Sequence, residues 1–351
     1  MTDRPPLLSV CIPAYNRVSV LPDLLDSIRA QDFDDYEIVI CEDRSREREA
    51  IRGVVERYRA RTDRVRYYEN GDNLGFDGNI RELVARAAGE YVVFMGNDDL
   101  MCPGALRRIA DVVTRYPDVG VVLRSYEAFR CTPDNIVRTA RYFEGEKFFP
   151  AGAATAATFF RRCVVIPGVV VHRASAAAVA TNRFDGTTLY QIHLVANILM
   201  RRNGVSVPEI LTLYRDDGIP EFGNSAAEVG RFVPNAQTID SSLSFMGGML
   251  DIAAGVGRSR NSAIYRAIVR DIANYSYPII AMHRDKGFRR FARYAWRLLR
   301  LGFWRSPWFF VYFGLLLTLR RRRVDRLIQR VKRTVGHTPV LGRVYTGEAR
   351  P

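Results

Sequence analysis

The stretch NLGFDGNIRELVARAAGEYVVFMGNDDL, residues Asn73 to Leu100, sets a loop, a helix, a strand and two adjacent carboxylates end to end. Ile80, Leu83, Val84, Ala87 and Ala88 recur at the spacing of one apolar helical face, while Arg81, Glu82 and Arg86 point elsewhere. Gly89 is read as the end of that helix. Glu90 to Met95 is a short, almost wholly apolar run of the type found in a strand covered on both faces. Such a strand delivers Asn97, Asp98 and Asp99 to its carboxyl end, where open α/β sheets bind ligands. Two carboxylates side by side repel unless a cation lies between them and a substrate's phosphates, a task suited to a hard ion such as Mg²⁺ or Mn²⁺. The plainer reading makes Asn97 and Asp98 turn residues and Asp99 the N-cap of a helix over Cys102 to Tyr116. The two readings are compatible.

Upstream, the same alternation of elements repeats. Leu8 to Ala14 and Tyr36 to Cys41 read as buried strands, and Arg64 to Glu69 as a third. Leu21, Leu24, Leu25 and Ile28 mark one intervening helix; Ile51, Val54, Val55 and Tyr58 mark another. The order β-α-β-α-β-α-β predicts an α/β fold, a mostly parallel sheet flanked by helices. No G-x-G-x-x-G follows the first strand and no G-x-x-x-x-G-K-[ST] occurs, which counts against a dinucleotide fold and a P-loop. The strand ends instead carry Pro13, Tyr15 and Asn16; Glu42 and Asp43; Asn73 to Phe76; and Asn97 to Asp99. Singly each is a cap or a turn; together on one rim they make a site.

In this order and spacing SVCIPAYNR (Ser9 to Arg17), VICEDRS (Val39 to Ser45) and the Asn73 to Asp99 segment resemble the family 2 glycosyltransferases, with the GT-A fold. The branch they resemble contains the abequosyltransferase-like enzymes of bacterial O-antigen assembly. The resemblance covers about the first 220 residues. It implies that Pro13, Tyr15 and Asn16 line a nucleotide pocket and that Asp43 holds the base. It further implies that Asn73, Gly75 and Asn79 lie under base and ribose, that Asn97 joins the donor site, and that Asp98 is the metal-binding carboxylate of a D-x-D motif. Gly96 stands where most members have the first aspartate, which leaves Asp98 with Asp99 as its neighbour.

Further on, Val119 to Arg124 reads as a strand, Tyr126 to Thr158 as loop and weak helix on the acceptor side, and Cys163 to Val171 as another strand. Near Phe184 to His193 the family usually carries an acidic pair, one member of which deprotonates the acceptor hydroxyl. That pair is missing. Asp185 lies just before the expected place, and Gln191 and His193 lie within it, so Asp185 is taken as the first candidate base and His193 as the second. A histidine in the apolar run Ile192, Leu194, Val195, Ile198, Leu199 also reads as structural. Tyr214-Arg215 resembles the family's closing Y-R, with Arg215 reaching phosphate.

The net charge of +14 is unevenly spread. From Arg258 onward there are 22 Lys and Arg against 4 Asp and Glu, an excess of 18, which leaves the preceding part slightly acidic. Arg289, Arg293, Arg297 and Arg300 fall on one helical face, opposite Phe288, Phe291, Ala295, Leu298 and Leu299. This is the pattern of a cationic helix lying in an anionic membrane interface. Trp308 to Leu319 is apolar but only 12 residues long, too short to span a bilayer. Packing of this tail against the sheet domain is the competing reading, and no nucleic-acid module is present. Five scattered cysteines show no C-x-x-C pairing and read as reduced thiols, and MTDRPPLLSV lacks the pattern of a signal peptide.

These readings predict a catalytic domain over 1–224 and a helical, membrane-peripheral region over 225–351, at the cytoplasmic face of the membrane. The activity implied by resemblance is inverting transfer of a sugar from a UDP-, GDP- or dTDP-linked donor to a saccharide acceptor carried on a polyprenyl lipid. Two rivals stay open. One is a nucleotidyltransferase, whose glycine-rich basic loop is absent from Pro13 to Arg17; the other is a catalytically silent nucleotide-sugar-binding protein.

Overall fold

The computed structural model describes residues 4–217, 221–339 and 341. Its strands are β1 (Leu8–Ala14), β2 (Tyr36–Glu42), β3 (Val65–Glu69), β4 (Tyr91–Phe94), β5 (Leu100–Met101), β6 (Val119–Arg130), β7 (Thr132–Ala140), β8 (Lys147–Phe149), β9 (Val170–His172) and β10 (Asn203–Arg215). The sheet order is β3-β2-β1-β4-β9-β6-β10-β5, with β7 on β6 and β8 on β10. β1, β2, β3 and β4 run parallel, as do β6 and β10, and β9 is antiparallel to both its neighbours.

The helices of the first part are α1 (Leu21–Arg29), α2 (Arg48–Arg59), α3 (Gly75–Arg86), α4 (Ala105–Arg115), α5 (Ala153–Phe160), α6 (Arg173–Ala178) and α7 (Tyr190–Leu199). Strand alternation assigns them to two faces. Val10, Ile12, Ile38, Ile40 and Val93 point to one side and are covered by α1, α2 and α4. Cys11, Val39, Cys41, Val92 and Phe94 point to the other, under α3, α5 and α7. Both faces are therefore dry, as the apolar runs predict.

Several boundaries differ from the sequence reading, each for a local reason. The third helix stops at Arg86, before Gly89. A Cβ on Gly89 would come within 2.7 Å of the Ser9 amide nitrogen, so glycine is there for close approach to β1. Asp99 does not cap α4, whose N-cap is Gly104 in the left-handed region at φ 74°. The Cys163 to Val171 run is strand only from Val170, because Pro167 and Gly168 (φ 75°) interrupt it. Tyr126 to Thr158 is more ordered than expected: β6 runs on to Arg130, turns at Cys131 and returns as the polar edge strand β7. Polar strands carry no apolar alternation, which is why β7 is silent in the sequence.

The C-terminal helices are α8 (Ile239–Val256), α9 (Ala263–Asn274), α10 (Tyr277–Ala281), α11 (Phe288–Arg300), α12 (Pro307–Thr318) and α13 (Arg321–Val335). α9 and α10 are separate helices, broken before Pro278. Buried side chains of α8, α9, α11 and α12 join the apolar cluster on the α3, α5 and α7 face, so these C-terminal helices share a core with the sheet domain. Ion pairs cross the same boundary: Arg161 and the buried Arg162 meet Asp271 at 3.1 and 3.2 Å. Among the described residues no helix is long and apolar enough to cross a membrane.

Candidate active site

The carboxyl ends of β1, β2 and β4 and the start of α3 border one cleft of about 230 Å³. Its first wall is the turn after β1, where Asn16 and Arg17 adopt φ of 51° and 62°. Left-handed backbone at two successive non-glycine residues costs free energy, so the turn must be held from outside. Asn97 Nδ2 donates to the Asn16 carbonyl at 2.9 Å, the Asn16 side chain donates to Glu221, and the Val18 amide donates to Glu47 at 2.8 Å. Asn97 is thus a strut between β4 and β1, and Pro13 and Tyr15 line the cleft beside it.

Asp43, at the end of β2, accepts from Asn70 Nδ2 at 2.8 Å and from the Leu74 amide at 2.9 Å. Asn79 on α3 donates to the Cys41 carbonyl at 3.0 Å and accepts from Asn70 at 3.2 Å. Burial pushes the Asp43 carboxyl up to about 6 against those hydrogen bonds, with the Glu228 charge adding to the rise. Asn73 accepts from the Gly75 amide at 3.0 Å and so shapes the loop into α3. Asp43, Asn73, Gly75 and Asn79 all line the cleft.

Asp98 and Asp99 form the opposite wall, and both are buried. The Asp98 carboxylate is ion-paired with Arg17, and its main-chain carbonyl accepts from Arg215 Nε at 2.9 Å. Asp99 Oδ1 accepts from the Arg215 amide at 2.9 Å. Burial raises both carboxyls; for Asp99 the neighbouring Asp98 charge raises it further. A Cβ on Gly96 would lie 2.3 Å from Asp99 Oδ2, so the Asp99 carboxylate occupies the space a side chain at 96 would need. The missing first aspartate and the second adjacent one are therefore one structural feature.

Among the described residues no set of three His, Cys, Asp or Glu side chains is grouped to hold a metal ion alone. A desolvated pair of carboxylates still suits Mg²⁺ or Mn²⁺, which bind through one or two carboxylates and complete their shell with phosphate oxygens and water. Asp98 is the residue to hold such an ion, with Asp99 beside it and Arg17 giving way.

No motif or apolar period marks the fourth wall. Glu228 is buried and receives the Phe76 amide at 3.0 Å and the Gly223 amide at 2.8 Å. It clamps the segment after β10 onto the first turn of α3, and Phe222 meets Phe76 edge-on at 5.9 Å. Gly75 (φ 73°) permits this approach, since a Cβ there would fall 2.4 Å from Ser225 Oγ. Glu221, Phe222, Asn224 and Glu228 enter the cleft from sequence with neither apolar period nor motif, so only tertiary contact reveals them.

The family model for glycosyl transferase family 2 matches residues 9–164. Over those residues the chain is similar to that family. A curated relative from Campylobacter jejuni, a GalNAc(5)-diNAcBac-PP-undecaprenol beta-1,3-glucosyltransferase, is 36% identical over 102 residues, covering 29% of this chain and 32% of its own. Abequosyltransferase RfbV of Salmonella typhimurium is 30% identical over 114 residues, covering 32% and 34%. The chain thus matches about a third of the length of these relatives. Among solved structures, S. aureus TarS 1–349 in complex with UDP-GlcNAc superposes with a TM-score of 0.55 over 98% of both chains at 13% identity. A Pyrobaculum calidifontis mannosyltransferase in complex with GDP-Man and Mn²⁺ gives 0.51 over 93% of this chain and 88% of its own at 14% identity. The fold is GT-A.

Against the family 2 pattern, the structure does not bring the two candidate bases into the cleft. Asp185 is held by Arg81 through two bonds of 2.6 and 2.9 Å on the flank of α3. His193 is buried between Phe184 and Tyr190; its Nε2 donates to the Val179 carbonyl at 2.8 Å, and burial lowers its affinity for a proton. Neither lines the cleft. Gln191 is spent on the Val164 carbonyl at 2.7 Å. The carboxylate that serves this region is Asp77, absent from the sequence reading, which accepts the Thr188, Leu189 and Tyr190 amides, each at 2.8 Å, and caps α7 across the fold.

Proposed function

We propose that the protein is an inverting glycosyltransferase that moves a sugar from a nucleotide-sugar donor to a saccharide acceptor. The observation that carries this reading is the meeting of Asp43, Asn79, Asp98, Asp99, Arg17 and Arg215 around one cleft at the carboxyl ends of the sheet. Asp43 and Asn79 offer acceptor and amide groups for a base, and Arg17 and Arg215 offer guanidinium groups for a diphosphate. A Mg²⁺ or Mn²⁺ on Asp98, when bound, would supply positive charge to the leaving diphosphate. Solved proteins of this fold carry UDP-GlcNAc or GDP-mannose, which supports a UDP-, GDP- or dTDP-linked donor.

The acceptor hydroxyl attacks the anomeric carbon as the bond to the diphosphate breaks, and its proton passes to a carboxylate of the cleft. Glu221 suits that role better than Asp185 or His193: its side chain is partly exposed, lines the cleft, and is aimed by Asn16 and by Arg17 Nε at 3.8 Å. Asp99, held by the Arg215 amide, positions its neighbour. The undecaprenol-linked acceptor in the name of the Campylobacter relative and the abequosyltransferase name support a polyprenyl-linked acceptor in O-antigen, capsule or exopolysaccharide assembly. A basic C-terminal region peripheral to the cytoplasmic face of the membrane would bring the cleft to such a lipid.

The test is release of UDP, GDP or dTDP from a panel of nucleotide sugars, with Mn²⁺ or EDTA and with membrane extract as acceptor. Turnover that needs the metal and disappears in Asp98→Ala is expected. Tight nucleotide binding without turnover on any lipid-linked acceptor would favour a silent binder, a reading to which the absent acidic pair near 190 lends support.

A further inference from the structure

A second cavity, of about 390 Å³, lies between the first turn of α8 and the helix α11. Lys286, Arg290, Arg293 and Arg297 line it against one acid, Asp240. Arg297 reaches Asp240 at 2.7 Å, and Lys286 donates to the Gln237 carbonyl at 2.8 Å. Among the described residues Arg290 and Arg293 have no hydrogen-bond or ion-pair partner. Cations gathered on one concave surface repel, and an anion between them removes that cost. The opening amides of α8 add to the same field: Thr238 caps the Ser241 amide at 2.9 Å, and those before it have no acceptor within the helix.

What flanks the cavity decides the kind of anion. Arg290, Arg293 and Arg297 follow one another at i, i+3 and i+7 on α11, whose buried face is Phe291, Tyr294, Ala295 and Leu298. Phe288, expected from the sequence on that apolar face, is 66% exposed, and Trp296 is 62% exposed. At 100° per residue Trp296 lies on the outer side of the arginine stripe, with Phe288 beyond it. Bare aromatic rings beside the cations suit a headgroup at a bilayer surface, because its neighbours are acyl chains.

We propose that this cavity binds the phosphate group of an anionic membrane lipid, with Arg290 and Arg293 donating to its oxygens while Trp296 and Phe288 enter the boundary between headgroups and acyl chains. The proposal rests on the membrane-peripheral reading above and gives that contact a defined chemical partner. A guanidinium fork matches a phosphate with two parallel donors, which distinguishes this site from diffuse attraction to negative charge.

The test uses the full chain in flotation with two kinds of phosphatidylcholine vesicle matched in surface charge, one carrying phosphatidic acid and the other oleate. The readout is the ratio of the two affinities. The wild type is expected to favour phosphatidic acid by about tenfold. Arg290→Ala/Arg293→Ala should bring the ratio close to one. Arg322→Ala/Arg330→Ala, which removes two charges from α13, should weaken both affinities and keep the ratio. All four side chains are exposed, so melting temperatures should match the wild type. A wild-type ratio near one, or an equal fall of the ratio in the α13 variant, overturns the pocket while leaving membrane attachment standing. No binding to either vesicle overturns both. Binding of inorganic phosphate or pyrophosphate that needs Arg290 and Arg293, without vesicle binding, would reassign the cavity to a soluble ligand and overturn the lipid.

Discussion

At position 96 a hydrogen atom decides whether Asp99 can hold its place. Asp99 Oδ2 would lie 2.3 Å from a Cβ there, while Oδ1 is fixed by the Arg215 amide at 2.9 Å. Gly96→Ala should therefore expel the buried carboxylate, lower stability by about 1–3 kcal/mol and reduce turnover at least about tenfold. Gly96→Asp, which restores the common family residue, should do no better. Chemical denaturation and nucleotide release on purified variants check this, and a fully active Gly96→Asp would defeat the argument. A glycine in place of an aspartate is legible in the sequence; its steric cause is not, because the Asp99 rotamer depends on Arg215, more than a hundred residues away.

Asp43 makes a prediction on pH. With its carboxyl raised to about 6, the ionised form that best accepts a base N–H is lost as pH falls through 6. Nucleoside diphosphate affinity, measured by titration calorimetry, should fall by about fivefold between pH 6 and pH 5, and in Asp43→Asn the affinity should be low and flat over that range. For stability the sign is opposite to that of a salt-bridged carboxylate. The unfolded value is near 3.9 and the folded one is higher, so this group's contribution declines as pH rises from about 4 to about 6.

Elements were legible wherever a period was present. The strands of the first hundred residues follow from apolar runs, and α1 to α3 from their stripes, because both faces of this sheet are covered and little else determines those positions. The sequence misled where an element is fixed by something other than its own pattern. The seventh helix shows the limit. Its first turn is capped by Asp77 of α3, 111 residues before Thr188 and invisible to any local rule. Asp77→Ala should strand three buried amides and cost about 3 kcal/mol or more by urea denaturation. Asp77→Asn, which keeps an acceptor oxygen and removes a charge that burial has pushed up to about 6, should cost less. An Ala variant as stable as the wild type would show that water replaces the cap.

At the scale of the whole molecule, the charge division read from the sequence is real, yet it does not mark a boundary in the core. Met246, Leu250 and Ile252 of α8 and Ile268 and Ile272 of α9 belong to the same buried cluster as Phe159, Phe160 and Leu194. Arg162 is buried and its ion-pair partner is Asp271 of α9, so removing the tail leaves a guanidinium in the interior without its counter-charge. Burial lowers its hold on a proton, the sign that desolvation outweighs the pairing even with Asp271 in place. A fragment ending at residue 224 should therefore be insoluble or bind an apolar dye strongly, and Asp271→Ala in the full chain should cost about 3–5 kcal/mol. Arg162→Met/Asp271→Leu, which removes both charges and keeps much of the volume, should recover most of that loss. A soluble fragment 1–224 with a single cooperative melt would mean instead that the C-terminal helices dock onto a domain already folded, and that the exposed aromatics of α11 can turn to a membrane without loosening the catalytic cleft.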